Sequence, residues 1–146
     1  MTVLLALLLA AAAPAQTPEA FVERLYAAYR DPDYSPLARP ERVFAPPLVA
    51  AIREDSRLSR DEVGYMDADP LCQCQDPTGL RPDIEEIRTS GRTRARVRVR
   101  IDFGADRREV RLRLVRTPAG WRVADIATAD EPSMLAGLRR FNRRRR

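Results

Sequence analysis

Between Arg92 and Phe103 the chain reads RTRARVRVRIDF, with Ala95, Val97, Val99, Ile101 and Phe103 alternating with Arg94, Arg96, Arg98, Arg100 and Asp102. A period of two sends alternate side chains to opposite faces, so this pattern predicts a half-buried strand. Gly104 to Arg107 predicts a turn, and Val110, Leu112 and Leu114 carry the alternation into a second strand. Thr117-Pro118-Ala119-Gly120 has proline at the second position of a turn, so Trp121 to Thr128 is predicted as a third strand. Ile84 to Thr89 is predicted to pair ahead of all three.

Upstream the period changes. Phe21, Leu25 and Ala28 stand at i, i+4 and i+7, with Val22, Tyr26 and Tyr29 widening the stripe, which predicts an amphipathic helix over 18–30. Thr17 is placed to cap it and Pro18 to open it. Residues 31–40 hold three prolines and read as a loop; a short turn is predicted at 41–44. Leu48, Val49 and Ile52 predict a second helix to about Arg57, and the capping-box spacing of Ser59 and Glu62 suggests one further turn. Residues 64–82 are rich in Pro, Gly and Asp and read as a long loop. Met134, Leu135, Leu138 and Phe141 predict a C-terminal helix running into an Arg-rich segment. Helices first and consecutive antiparallel strands after them imply an α+β fold: N-terminal helices packed on the apolar face of a bent sheet of about four strands.

The first residues have a different character. Val3 to Ala13 is uninterruptedly apolar and Ala13-Pro14-Ala15 follows, the small-residue triplet that signal peptidase reads. The run is too short to span a bilayer, which takes about 20 residues. Residues 1–15 are therefore read as a cleaved signal peptide without a lipid anchor, although the basic residues usual before such a run are absent. Residues 16–138 form the single α+β domain in this reading, and 139–146 an Arg-rich tail. The expected location is the periplasm or the cell exterior.

Charge refines this picture. The basic residues number 26, all of them Arg, and there is no His. Six of these Arg lie in the last eight residues, so the other 20 stand against 21 acids and the body is almost neutral. The high isoelectric point belongs to the tail and does not argue for a nucleic-acid-binding fold; after export nucleic acid is not the expected partner.

The phrases FAPPLVAAI (44–52), DADPLCQCQD (67–76) and GWRVADI (120–126), in this order of elements, resemble an uncharacterised family of exported bacterial proteins. That family is placed in the superfamily of nuclear transport factor two, ketosteroid isomerase and scytalone dehydratase. The resemblance spans about residues 18–128. It implies a cone-like sheet wrapped around helices, often with a pocket at the open end, and implies no particular activity.

Three clusters are candidates for chemistry. In the 64–82 loop, Asp67, Asp69 and Asp76 can act as a base in a pocket of ketosteroid-isomerase or dehydratase type, with Tyr65 as hydrogen-bond donor, or can simply cap turns. Cys72 and Cys74 are expected to form a disulfide in an oxidising compartment, within the chain or between chains. Envelope redox or copper handling, with Met66 as a third ligand, is the weaker alternative. The Arg face, with Arg94, Arg96 and Arg98 foremost, is either a solvated surface or a contact for an anionic lipid, glycan or acidic protein. Tyr26, Tyr29 and Asp76 join these Arg as candidates for contact with a small ligand or an envelope protein. No cofactor and no metal are expected, since two thiolates without His make a poor metal signature. Oligomeric state stays open, a dimer included. The reading that follows is an exported, non-catalytic binding or protein-interaction module.

Overall fold

The computed structural model describes residues 16–60 and 62–146; the signal peptide expected at 1–15 lies outside the described residues. Helix α1 (Pro18–Ala27) continues into a 3-10 turn at Ala28–Arg30, and the Thr17 hydroxyl accepts from the Ala20 N–H at 3.1 Å. A one-turn helix α2 (Pro40–Val43) precedes α3 (Pro46–Ser59), which starts on two prolines whose missing N–H groups cost nothing in the first turn. Four strands follow, β1 (Arg81–Ser90), β2 (Arg94–Phe103), β3 (Asp106–Thr117) and β4 (Gly120–Ala127), then α4 (Met134–Arg144). The sheet is an antiparallel meander in the order β1-β2-β3-β4.

The alternation read from the sequence decides the sheet's two faces. Ala95, Val97, Val99 and Ile101 of β2 and Val110, Leu112 and Leu114 of β3 are buried, whereas Arg94, Arg96, Arg111 and Arg113 are exposed. Phe21, Val22, Leu25 and Tyr26 of α1, with Leu48, Val49 and Ile52 of α3, belong to the same core cluster. Leu71, Cys72 and Cys74 of the loop join that cluster. Register shifts at Ile84/Glu86 in β1–β2 and at Arg113/Leu114 in β3–β4 mark bulges, which bend the strands that carry them.

The two sheet edges differ. At β4 the Ala45 N–H donates to the Val123 carbonyl at 2.9 Å, so the chain before α3 closes that edge. β1 is the other edge, and Pro82, its bulge and its charged residues are the usual means of discouraging further pairing there.

Two local expectations change. Ser59, expected to cap one further turn, is instead the buried last residue of α3, and the turn after it is closed by the Glu62 N–H donating to the Ser59 carbonyl at 2.6 Å. The Arg-rich segment beginning at Arg139, expected as a tail, is helical as far as Arg144, with Asn142 buried and its amide donating to the Ala51 carbonyl at 3.0 Å. Arg145 pairs with Glu62 and Arg146 with Glu54, which fastens the C-terminus to α3 and the segment after it.

Candidate functional site

The loop after α3 is held at several independent points. Asp55, buried on α3, accepts the Tyr65 N–H on Oδ1 and the Met66 N–H on Oδ2, both at 3.0 Å. Gly64 must pass beside this carboxylate, since a Cβ there would stand 2.7 Å from Asp55 Oδ2. Farther on, the Tyr26 hydroxyl donates to the Leu71 carbonyl at 2.9 Å. Between Asp69 and Cys74 the backbone closes on itself, Asp69 N–H to Cys74 carbonyl at 2.9 Å and Gln73 N–H to Asp69 carbonyl at 2.8 Å. Cys72 and Cys74 are joined in a disulfide across Gln73, which takes φ 55, a left-handed conformation that few non-glycine residues adopt. Paired in this way, they present no thiolate to a metal.

Of the three candidate acids, Asp67 and Asp69 line one cleft with Tyr65, whereas Asp76 lies apart. Asp69 is partly buried; the Tyr29 hydroxyl lies 2.9 and 2.8 Å from its two oxygens, and Oδ1 also accepts the Leu71 N–H at 2.9 Å. Burial pushes its pKa above the ordinary carboxylate value, while the Tyr29 and Leu71 hydrogen bonds oppose that shift. Burial also raises the Tyr29 phenol, helped by the Asp69 charge, and pushes Tyr34, edge-on to the Tyr29 ring, up to about 12. Asp67 is exposed at a cleft of about 180 Å³ that it shares with Tyr65, Asp69 and Gln73. Tyr65 donates to Glu131 at 2.7 Å. Asp76 is exposed elsewhere; the Thr78 hydroxyl, and after it the Thr78 N–H at 2.8 Å from Oδ1, hold it below the usual carboxylate range. Tyr26 is a core residue, and Trp121 is buried with its indole N–H donating to the Gln16 carbonyl at 2.8 Å.

The Arg face divides into two halves. Toward the β2 C-terminus, Arg100 pairs with Asp83, Glu85 and Asp102, and Arg98 with Glu85 and Glu86. Toward the β2 N-terminus, register sets Arg96 directly opposite Arg88 on one side and Arg113 on the other. Directly opposed like charges on a sheet face are destabilising. Arg88 is relieved by Glu86, and Arg113 by Asp125. Among the described residues Arg94 and Arg96 have no carboxylate at ion-pair distance. These residues line a groove of about 870 Å³ whose wall holds Arg88, Arg94, Arg96 and Arg113 and no Asp or Glu, beside Ala45, Pro46, Pro47, Ala124 and Leu135.

Asp125, which the sequence pattern does not single out, ties this face to α4. It is buried, accepts the Ile126 N–H at 2.9 Å, the Leu135 N–H at 3.0 Å and the Ser133 hydroxyl at 2.6 Å, and pairs with Arg113. Ser133 in turn accepts the Ala136 N–H at 3.1 Å as the α4 cap. Its only signal in the sequence is an acid at an inward-leaning strand position.

These elements define an α+β protein with helices on one face of a four-stranded antiparallel meander and an arginine-lined surface on the other. No protein-family model and no curated protein matches the chain. Among solved structures it is similar to a chain of the type VI native effector-immunity complex Tae3-Tai3 from Ralstonia pickettii. The two share 22% identity and a TM-score of 0.54, over 77% of this chain and 95% of that one. It is also similar to the phospholipid-binding protein from Ralstonia solanacearum, solved with a phospholipid, at 14% identity and a TM-score of 0.43, over 85% of this chain and 73% of that one. The first likeness shows the fold. The nuclear-transport-factor-two-like superfamily that the motifs resemble finds no support in these comparisons.

Proposed function

We propose that this chain is an exported, non-catalytic protein-interaction module that contacts its partner through the outer face of the sheet. The observation that carries this reading is the groove beside Arg94 and Arg96, which have no ion-pair partner among the described residues. A comparable fold occurs in a chain crystallised as part of an effector-immunity complex, which supports recognition of another protein. The apolar run before Ala15 and the Cys72–Cys74 disulfide support export to an oxidising compartment. Asp69, the acid best placed for chemistry, has its oxygens engaged by Tyr29 and Leu71, and in this reading it serves the fold.

The test is affinity capture from an envelope extract of the source cells, with the wild-type chain and an Arg94→Glu/Arg96→Glu variant as baits. The reading expects a captured protein that the double variant loses and that Asp69→Asn retains. It fails if wild type and double variant retain the same proteins, or if wild type retains none. Fractionation of cells producing the full chain checks export, with a mature N-terminus expected at Gln16.

A further inference from the structure

Resting on that reading, we infer that the groove takes an extended acidic segment of the partner protein, with carboxylates on alternate residues and an apolar side chain beside them. Arg94 and Arg96 are two positions apart on β2, so their side chains leave the same face about 7 Å apart. That is also the spacing of alternate side chains in an extended chain, so a partner strand laid along β2 can set one carboxylate against each guanidinium. Across the sheet, Arg88 and Arg113 flank Arg96 at the interstrand distance of about 5 Å, close enough for the same carboxylate to fork between neighbours.

The register itself argues for an external anion. Glu86 and Asp125 relieve Arg88 and Arg113, but among the described residues Arg96 between them meets no acid, and a position that breaks a pairing rule without internal compensation marks a functional surface. The other half of β2 shows what compensation looks like, since Arg98 and Arg100 each meet acids of β1. The occupant must therefore bring negative charge. Pro47 and Leu135, at the apolar side of the groove, give an adjacent hydrophobic side chain a place to rest.

A membrane surface has the charge but not the shape. Among the described residues the one large hydrophobic side chain that is exposed is Val63, which does not line this groove. A face that inserts into lipid carries several apolar side chains beside its basic ones. A protein segment is the occupant that uses both the arginines and the apolar wall.

The direct test is fluorescence anisotropy of the purified chain with a labelled peptide of alternating Glu and Thr carrying one central Phe. Its controls are the same peptide with Gln for Glu, and vesicles of phosphatidylglycerol. The inference expects the Glu peptide to bind, the Gln peptide to bind at least tenfold more weakly, and affinity to fall with added salt. Arg94→Ser/Arg96→Ser should weaken the Glu peptide at least tenfold, Leu135→Ser severalfold, and Arg96→Lys less than Arg96→Ser, because lysine keeps the charge without the fork. Equal binding of Glu and Gln peptides, an unaffected Arg94→Ser/Arg96→Ser variant, or binding of vesicles in preference to peptide overturns it. If the envelope partner is captured through Arg94 and Arg96 but these peptides fail, the extended-segment inference falls and the interaction reading stands. If no partner is captured, the reading itself falls.

Discussion

The two halves of β2 carry the same residue on the same face and behave differently. Arg98 and Arg100 look across to Glu85, Glu86 and Asp83 on β1, while Arg94 and Arg96 look across to Ser90 and Arg88. In the first half Arg98 also stands opposite Arg111 on β3, but both meet acids, Glu85 and Glu86 for Arg98 and Glu109 for Arg111, so that surface is internally neutralised. The second has a like-charge row and an apolar-walled groove. An arginine-rich strand is thus neither a binding surface nor a solvated one by composition; its cross-strand neighbours decide.

The largest effect is expected where the row is tied to the rest of the fold. Asp125→Ala removes the partner of Arg113 and leaves the Ile126 and Leu135 N–H groups without their buried acceptor. A loss of about 2–4 kcal/mol is expected, measured by urea unfolding. A loss under about 0.5 kcal/mol would mean that α4 is not anchored through this carboxylate.

Glu85→Gln makes the compensated half resemble the uncompensated one, since Arg98 and Arg100 then lose a shared acid. A loss of about 0.5–1 kcal/mol is expected, together with tighter binding of an acidic peptide. Unchanged stability and affinity would erase the distinction between the halves.

The converse change, Arg96→Glu, replaces the middle of the row with an acid between two arginines. Stability should hold or rise by about 0.5 kcal/mol while acidic-peptide binding disappears. A fall of more than about 1 kcal/mol would show that Arg96 serves the fold rather than a partner.

The smallest difference should be seen in acid. The Arg107 hydrogen bond, joined by Arg100, holds the Asp102 carboxyl below its ordinary value. A lowered carboxylate contributes stability that is present above its unfolded value and lost as pH falls through the lowered one. Asp69 runs the other way: its raised value gives stability present below about 3.8 that is lost as pH rises through the raised value. Asp102→Asn should therefore flatten the acid side of the stability curve, and Asp69→Asn should remove the decline above it. Opposite slopes in urea midpoints against pH check both.

Much of the fold was legible because its signals are local. Alternation from Arg94 to Phe103, the Thr17 cap and the turn at Thr117–Gly120 all appear where the sequence predicts them. Helix α4 was legible only in part: the Arg run looks like a solvated tail until Asn142 is seen buried against α3. The candidate site was less legible. Asp55 sits in RED among ordinary surface-helix residues, yet it holds the start of the loop. Asp67, Asp69 and Asp76 look alike in the chain but differ in burial and partners.

What the sequence by itself determined was which face of each strand is apolar, because a period of two is a property of neighbouring residues. What the tertiary structure alone decided was which arginine faces an acid and which faces another arginine. Pairing depends on register, and here register includes a shift between Ile84 and Glu86 that no single strand announces. Arg96 stands between two arginines only because β1 and β3 arrive in that alignment.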